Sequence, residues 1–202
     1  MPRLYVVLEG GPGVGKSSIA GLLAELLRSK GLSVCVVHDS SREVARVLGR
    51  LFGKWYLAPR TLIEYMILGH QVHGLQRCKE MGADIVLLDY GIEAPLAYME
   101  ADGASYPREL DSLAEALLDD APVLVFILER PVTYTGDNVR WEDLLRAQRY
   151  SRSLIRRASS LAARLGAAVY VVPEKRSLHN RVLVVARLIY SFLDGDEPSP
   201  VS

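Results

Sequence analysis

An α/β sandwich with a parallel sheet at its centre is the fold class this sequence predicts, on three observations. Five short apolar runs, Leu4–Leu8, Ser33–His38, Asp84–Asp89, Val123–Leu128 and Ala168–Val172, alternate with longer helix-periodic stretches. The runs are nearly continuous in apolar residues, as strands covered on both faces must be. Glycine follows three of the helical stretches, at Gly31, Gly82 and Gly166, where a helix end accepts a left-handed residue. Such alternation builds right-handed βαβ units and hence a three-layer arrangement. Helices are expected at about 15–30, 41–52, 60–81, 109–119, 141–165 and 177–193.

The 202 residues suffice for one domain with a sizeable core. That domain is expected over residues 1–195, with an acidic, then Pro/Ser-rich tail at 196–202 expected to fray. Formal net charge is zero, so nothing argues for a nucleic-acid partner. No 18-residue apolar stretch exists, so no membrane span is expected. The chain enters its first strand at once, without a signal peptide, which points to a cytoplasmic protein. Cys35 and Cys78 read as buried thiols in a reducing compartment, not as a disulfide or metal pair. His70 and His73 are three apart but lack the spacing of a metal site. Arginine far outnumbers lysine, and Asn and Gln are scarce, which suits a thermophile or a biased genome.

The first strand runs into Gly10-Gly11-Pro12-Gly13-Val14-Gly15-Lys16-Ser17, then an apolar-periodic segment, Ile19 to Leu27, in a helix beginning near Gly15. This is G-x-x-x-x-G-K-S between strand and helix, the phosphate-binding P-loop. Glycines let consecutive backbone N–H groups turn inward on an anion, and the helix adds its positive dipole end. Lys16 reaches the β- and γ-phosphates of a nucleoside triphosphate, and the Ser17 hydroxyl ligates Mg²⁺. ATP and Mg²⁺ are therefore the expected cofactors, with residues 10–18 as their cradle.

In open α/β sheets, ligands bind beyond the carboxyl ends of the strands. Those ends carry Glu9, His38-Asp39, Asp89-Tyr90, Glu129-Arg130 and Pro173-Glu174. Asp89 closes an apolar strand in the manner of a Walker B acid, a second Mg²⁺ ligand opposite Ser17. Asp39 is either a base for an acceptor hydroxyl or a cap for the helix at 41–52. Arg42 follows, as an acceptor-binding cation or a solvated charge. Residues 131–150 have the look of a lid, a Pro/Gly/Asp/Asn loop feeding a basic helix. Arg140 is the first candidate to neutralise transition-state charge, with Arg146 or Arg149 behind it; Arg152, Arg156 and Arg157 read as an exposed basic face. Residues 51–76 offer Trp55, Tyr56, Tyr65 and Gln71, of which Tyr65 and Gln71 are candidates to border a planar ligand, the alternative being core.

Several of these segments resemble a known group. Leu8-Glu9-Gly10-Gly11 resembles the P-loop entry of thymidylate kinases, and Asp89-Tyr90-Gly91 with the later Ala97-Tyr98 resembles a segment of both thymidylate kinases and nicotinamide riboside kinase-like proteins. Asp39-Ser40-Ser41-Arg42-Glu43 and Gly136-Asp137-Asn138-Val139-Arg140 resemble nicotinamide riboside kinase-like proteins. Tyr90 stands where those families usually have Arg, which touches the acceptor or a phosphate. The resemblance implies a nucleotide kinase-like fold with strand order 2-3-1-4-5. It also implies transfer of a phosphoryl group from ATP to a nucleoside- or nucleotide-type acceptor, in which Tyr90 would face the substrate. Two other readings are a regulatory ATPase or GTPase switch and a non-enzymatic nucleotide-binding partner. The switch lacks a guanine-specifying Asn-Lys-x-Asp. Apolar faces on the helix at 60–81 leave room for a homodimer.

Overall fold

A computed structural model describes residues 2–129, 144–174 and 177–195. Arg140, most of the lid segment and the 196–202 tail lie outside these residues. In chain order the elements begin β1 (Leu4–Glu9), α1 (Lys16–Ser29), β2 (Val34–Val37), α2 (Ser41–Phe52) and a 3-10 turn, Trp55–Leu57. They continue α3 (Arg60–Glu80), β3 (Ile85–Leu88), α4 (Ala94–Ala101) and a second 3-10 turn, Arg108–Ser112. The last are α5 (Leu113–Leu118), β4 (Val123–Leu128), α6 (Leu144–Leu165), β5 (Ala168–Val172) and α7 (Leu178–Asp194). All five expected strands form. They pair in parallel in the order β2-β3-β1-β4-β5, with Tyr5 of β1 registered against Val86 and Val123.

The three layers follow from the period-2 geometry of a strand. On β1, Leu4, Val6 and Leu8 face one side and pack with Ile19, Leu23 and Leu27 of α1 and Val185 and Ile189 of α7. Tyr5 and Val7 face the other side, toward Leu68 and Leu75 of α3 and Leu161 of α6. Each such apolar side chain, once buried, contributes ~1.5–3 kcal/mol. Gly31, Gly82 and Gly166 all have positive φ just past a helix, as their positions predicted.

Three differences from the sequence reading stand out. Helix α4 forms where only a family motif was read. Its Pro95 sits in the first turn, where a missing N–H costs nothing. Second, Arg157 is no part of an exposed basic face. It reaches Glu93 at 2.9 Å and Asp111 at 2.6 Å, fastening α6 to α4 and the turn before α5. Third, Cys35 and Cys78 are not free thiols. They form a disulfide between β2 and α3, with Cα atoms 5.5 Å apart. The sheet order makes this pairing: α3 covers the face of β2 and so brings residues 43 positions apart together. The bond removes the ground on which the two cysteines were read as thiols of a reducing compartment, since disulfides persist in oxidising surroundings or, inside cells, in hyperthermophiles.

A cross-link over that length of chain removes entropy from the unfolded state. Replacing both cysteines with serine is expected to lower unfolding free energy by ~2–4 kcal/mol in denaturant titrations. A reductant should bring the wild type to the same value and leave the variant unmoved.

Candidate active site

The P-loop has the backbone its glycines permit. Gly10, Gly13 and Gly15 take φ of 145°, 82° and 89°. A Cβ on Gly10 would meet the Leu128 carbonyl at 2.7 Å, and one on Gly11 would overlap Ser151 Oγ of α6. Lys16 folds back over the loop and donates to Gly10 O at 2.8 Å and Gly11 O at 3.1 Å. Its ammonium also lies 4.3 Å from the centre of the Tyr90 ring.

Glu9 ends β1 with its side chain buried. Oε1 accepts from the Gly10 amide at 3.2 Å and Oε2 from the Gly91 amide at 3.3 Å. A Cβ on Gly91 would come within 2.5 Å of Oε2, so only glycine permits this approach. Burial pushes the Glu9 carboxyl up to about 7, against the pull of Lys16 and the two amides. Glu9 thus joins the start of the P-loop to the turn after β3.

That turn carries Asp89 and Tyr90. Burial raises Asp89 above the usual carboxylate range, while the Ser17 hydroxyl, Lys16 and the Asp39 amide oppose the rise. Asp89 Oδ1 is buried, with no hydrogen-bond partner among the described residues. An orphaned carboxylate oxygen beside a serine hydroxyl is the donor set a hard cation takes, so these two residues fit Mg²⁺. Asp39 lines the same cavity and also caps α2. Its Oδ1 accepts from the Ser41 amide at 2.8 Å and its Oδ2 from the Ser41 hydroxyl at 3.0 Å.

Pro12 to Ser18, Asp39, Ser41 and Tyr90 form one end of a single cavity; Trp55, Arg60, Ile63, Glu64, Ile67 and Tyr98 form the other. Residues 60, 63, 64 and 67 share one face of α3 by helical spacing. Arg60 pairs with Glu64 at 3.0 Å and Asp102 at 3.2 Å, over the rings of Tyr98 and Tyr150. Asp102 also takes Arg146 at 3.0 Å and the Tyr150 hydroxyl at 2.8 Å. The Tyr90 and Tyr98 hydroxyls meet at 2.5 Å.

The structure therefore gathers residues 12–18, Asp39, Asp89 and Tyr90, with Gly10 and Gly11 held behind them by Lys16. It does not bring in Tyr65 or Gln71. Tyr65 turns to a shallow groove on the outer side of α3. Gln71 is buried on the cavity stripe one turn too deep, where its Nε2 donates to Tyr90 O and Gly91 O at 3.4 and 3.3 Å. Arg42 is exposed on the first turn of α2, next to Ser41. Arg149 is exposed, and Arg146 serves Asp102. The residues missed were Arg60 and Glu64, whose i,i+4 spacing was a readable signal, and Asp102, which had none.

The sequence profile of AAA_28, described as an AAA domain, matches residues 5–181. The chain belongs to this P-loop family. Its relatives include a probable thymidylate kinase of Methanopyrus kandleri, 33% identical over 63% of this chain and 61% of the relative. A thymidylate kinase of Gluconobacter oxydans is 34% identical over 63% and 64% of the two chains. One of Clavibacter sepedonicus is 31% identical over 74% and 75%. The chain thus spans somewhat under two thirds of the length of the first two. A crystal structure of thymidylate kinase from Ehrlichia chaffeensis superposes with a TM-score of 0.65 at 17% identity. It covers 94% of this chain and 100% of its own, which shows the fold. The AAA_28 chain is therefore of the thymidylate kinase type, as its P-loop entry and β3 motif suggested.

A carboxyl raised in the folded state binds its proton where the unfolded one has lost it, so stability falls as pH rises between about 4.5 and 7. The expected contribution of Glu9 to that fall is ~3 kcal/mol. Denaturant titrations across this window should show a flatter pH dependence for Glu9→Gln than for the wild type.

Proposed function

We propose that the chain is an ATP-dependent phosphotransferase that moves the γ-phosphoryl group to a nucleoside, a nucleotide or a similar small molecule. The observation that carries this reading is the two-ended cavity. A switch needs only the P-loop and Asp89; here α3 and α4 add a second end with an aromatic wall and an arginine–carboxylate pair. The thymidylate kinase relatives support the same reaction class.

In this reading the P-loop amides and Lys16 hold the donor phosphates, Lys16 exchanging two carbonyl oxygens for phosphate oxygens. Ser17 and Asp89 would hold Mg²⁺, which neutralises charge on the β- and γ-phosphates. Asp39 orients the acceptor hydroxyl or takes its proton. Its two bonds to Ser41 leave lone-pair capacity on both oxygens. Arg42 and Tyr90 flank the acceptor, and Arg140, outside the described residues, is the candidate to steady the equatorial oxygens. The protein acts in the cytoplasm, without a nucleic-acid partner. Its described helices include none long and apolar enough to cross a membrane. Leu62 and Tyr65, each 38% exposed on α3, offer a face for a homodimer.

Phosphate release and phosphorylated product, measured over nucleosides, nucleoside monophosphates and nicotinamide riboside, test the reading. Turnover is expected with one acceptor class and at most a trace without acceptor; equal turnover in every well would indicate a plain ATPase. Lys16→Ala is expected to lower turnover by ~10²–10³-fold. Asp39→Asn should abolish transfer to a hydroxyl acceptor at unchanged ATP affinity; full activity in that variant would remove Asp39 as the base.

A further inference from the structure

Arg181 lies on α7, outside the cavity, and is only 6% exposed. Burying a guanidinium is unfavourable unless its donors are met. Among the described residues, its guanidinium donates to backbone carbonyls in two separate loops. Nη1 donates to Val14 O at 2.8 Å, and Nη2 donates to Glu129 O at 3.3 Å. Its Nε is buried, with no hydrogen-bond partner among the described residues. An aliphatic residue would fill an α7 core position at lower cost, as Val182, Val185 and Ile189 do beside it.

Val14 is the apex of the P-loop. It stands between Gly13 and Gly15, both at positive φ, so the peptide joining it to Gly15 could turn either way. The described residues contain no cis peptide. In a trans peptide the carbonyl and the next N–H point in opposite directions. Drawing Val14 O toward α7 therefore directs the Gly15 N–H to the other side, where Gly15 lines the cavity. The Val14 side chain is anchored in the same core as α7. The second bond fixes the first residue after β4, where the chain leaves the sheet for α6.

We propose that Arg181 is a positioning residue for the donor triphosphate: it sets the direction of the Gly15 amide in the phosphate cradle and ties that cradle to the end of β4. This rests on the reading of the P-loop end of the cavity as the donor site, and it needs no knowledge of the acceptor. A guanidinium suits the task because its planar fork reaches two acceptors at once. Its charge also stands behind the loop that meets the polyphosphate.

Calorimetric titration of the full chain with Mg·ATP tests this, using Arg181→Met, Arg181→Lys and, as a packing control, Val185→Ala. Arg181→Met is expected to weaken binding by about tenfold to a hundredfold, the loss typical of a charged hydrogen-bonding group. Arg181→Lys keeps the charge but not the fork and should fall between it and the wild type. Val185→Ala should lower the melting temperature and hold the affinity within about twofold. A folded Arg181→Met that binds like the wild type overturns the proposal, as does a Val185→Ala that loses as much. Should Arg181→Met not fold, Arg181→Lys decides: weakened binding at a wild-type melting temperature supports the proposal, and unchanged binding overturns it. Wild-type protein that binds Mg·ATP without phosphorylating any acceptor would sink the phosphotransferase reading and leave this one standing.

Discussion

The Glu9 carboxylate lies between the Gly10 and Gly91 amides, and the rest of the site takes its geometry from that bridge. One amide opens the P-loop; the other follows Asp89 and Tyr90. The sheet already sets β1 beside β3, but parallel pairing ends at Val7 and Leu88. Beyond that point β3 gives way to a turn while β1 continues against β4 as far as Glu9, whose side chain reaches across to that turn. Its burial has a cost, visible in the raised proton affinity, and the nearby Lys16 ammonium offsets part of it. Lys16 is in turn held by two loop carbonyls and the Tyr90 ring. Acid, lysine and tyrosine thus form one compact unit linking the two phosphate-side motifs.

The far end of the cavity is organised by Asp102 in the same way. One carboxylate at the end of α4 receives Arg60 from α3 and Arg146 and Tyr150 from α6. Three helices of one layer are fastened at a single point, with Tyr98 between them. Tyr90 meets this assembly through its hydroxyl contact with Tyr98, where related families carry arginine. A tyrosine there extends an aromatic wall from the P-loop lysine to α6. Tyr90 stacks on Tyr98, and Tyr98 tilts against Tyr150, so the rings run alongside the ion pairs made at Asp102.

What could be read from the sequence divides along physical lines. Strands were legible because burial on both faces leaves uninterrupted apolar runs. Glycines after helices were legible because left-handed φ is nearly theirs alone. The P-loop, Asp89 and Asp39 were legible because strand ends in such sheets converge on one edge. Helix α4 was not, since eight mostly apolar residues show no amphipathic period, although Pro95 marked its start. The disulfide and the Asp102 hub were not, because both join positions more than forty residues apart. Helix α3 shows the limit of composition alone. Tyr65 and Gln71 are chemically suited to a base, but six positions turn a helix through most of two revolutions. One of them points outward, and the other is consumed by two carbonyls beneath Tyr90.

The central claim is that Ser17 and the orphaned Asp89 oxygen complete a divalent-cation site against a polyphosphate held by the P-loop. The most direct measurement is ATP affinity of the wild-type chain in magnesium and again in excess chelator. The account predicts clear binding with magnesium and a loss of at least about tenfold without it. Equal affinity in both conditions, or none for any nucleoside triphosphate, would contradict it.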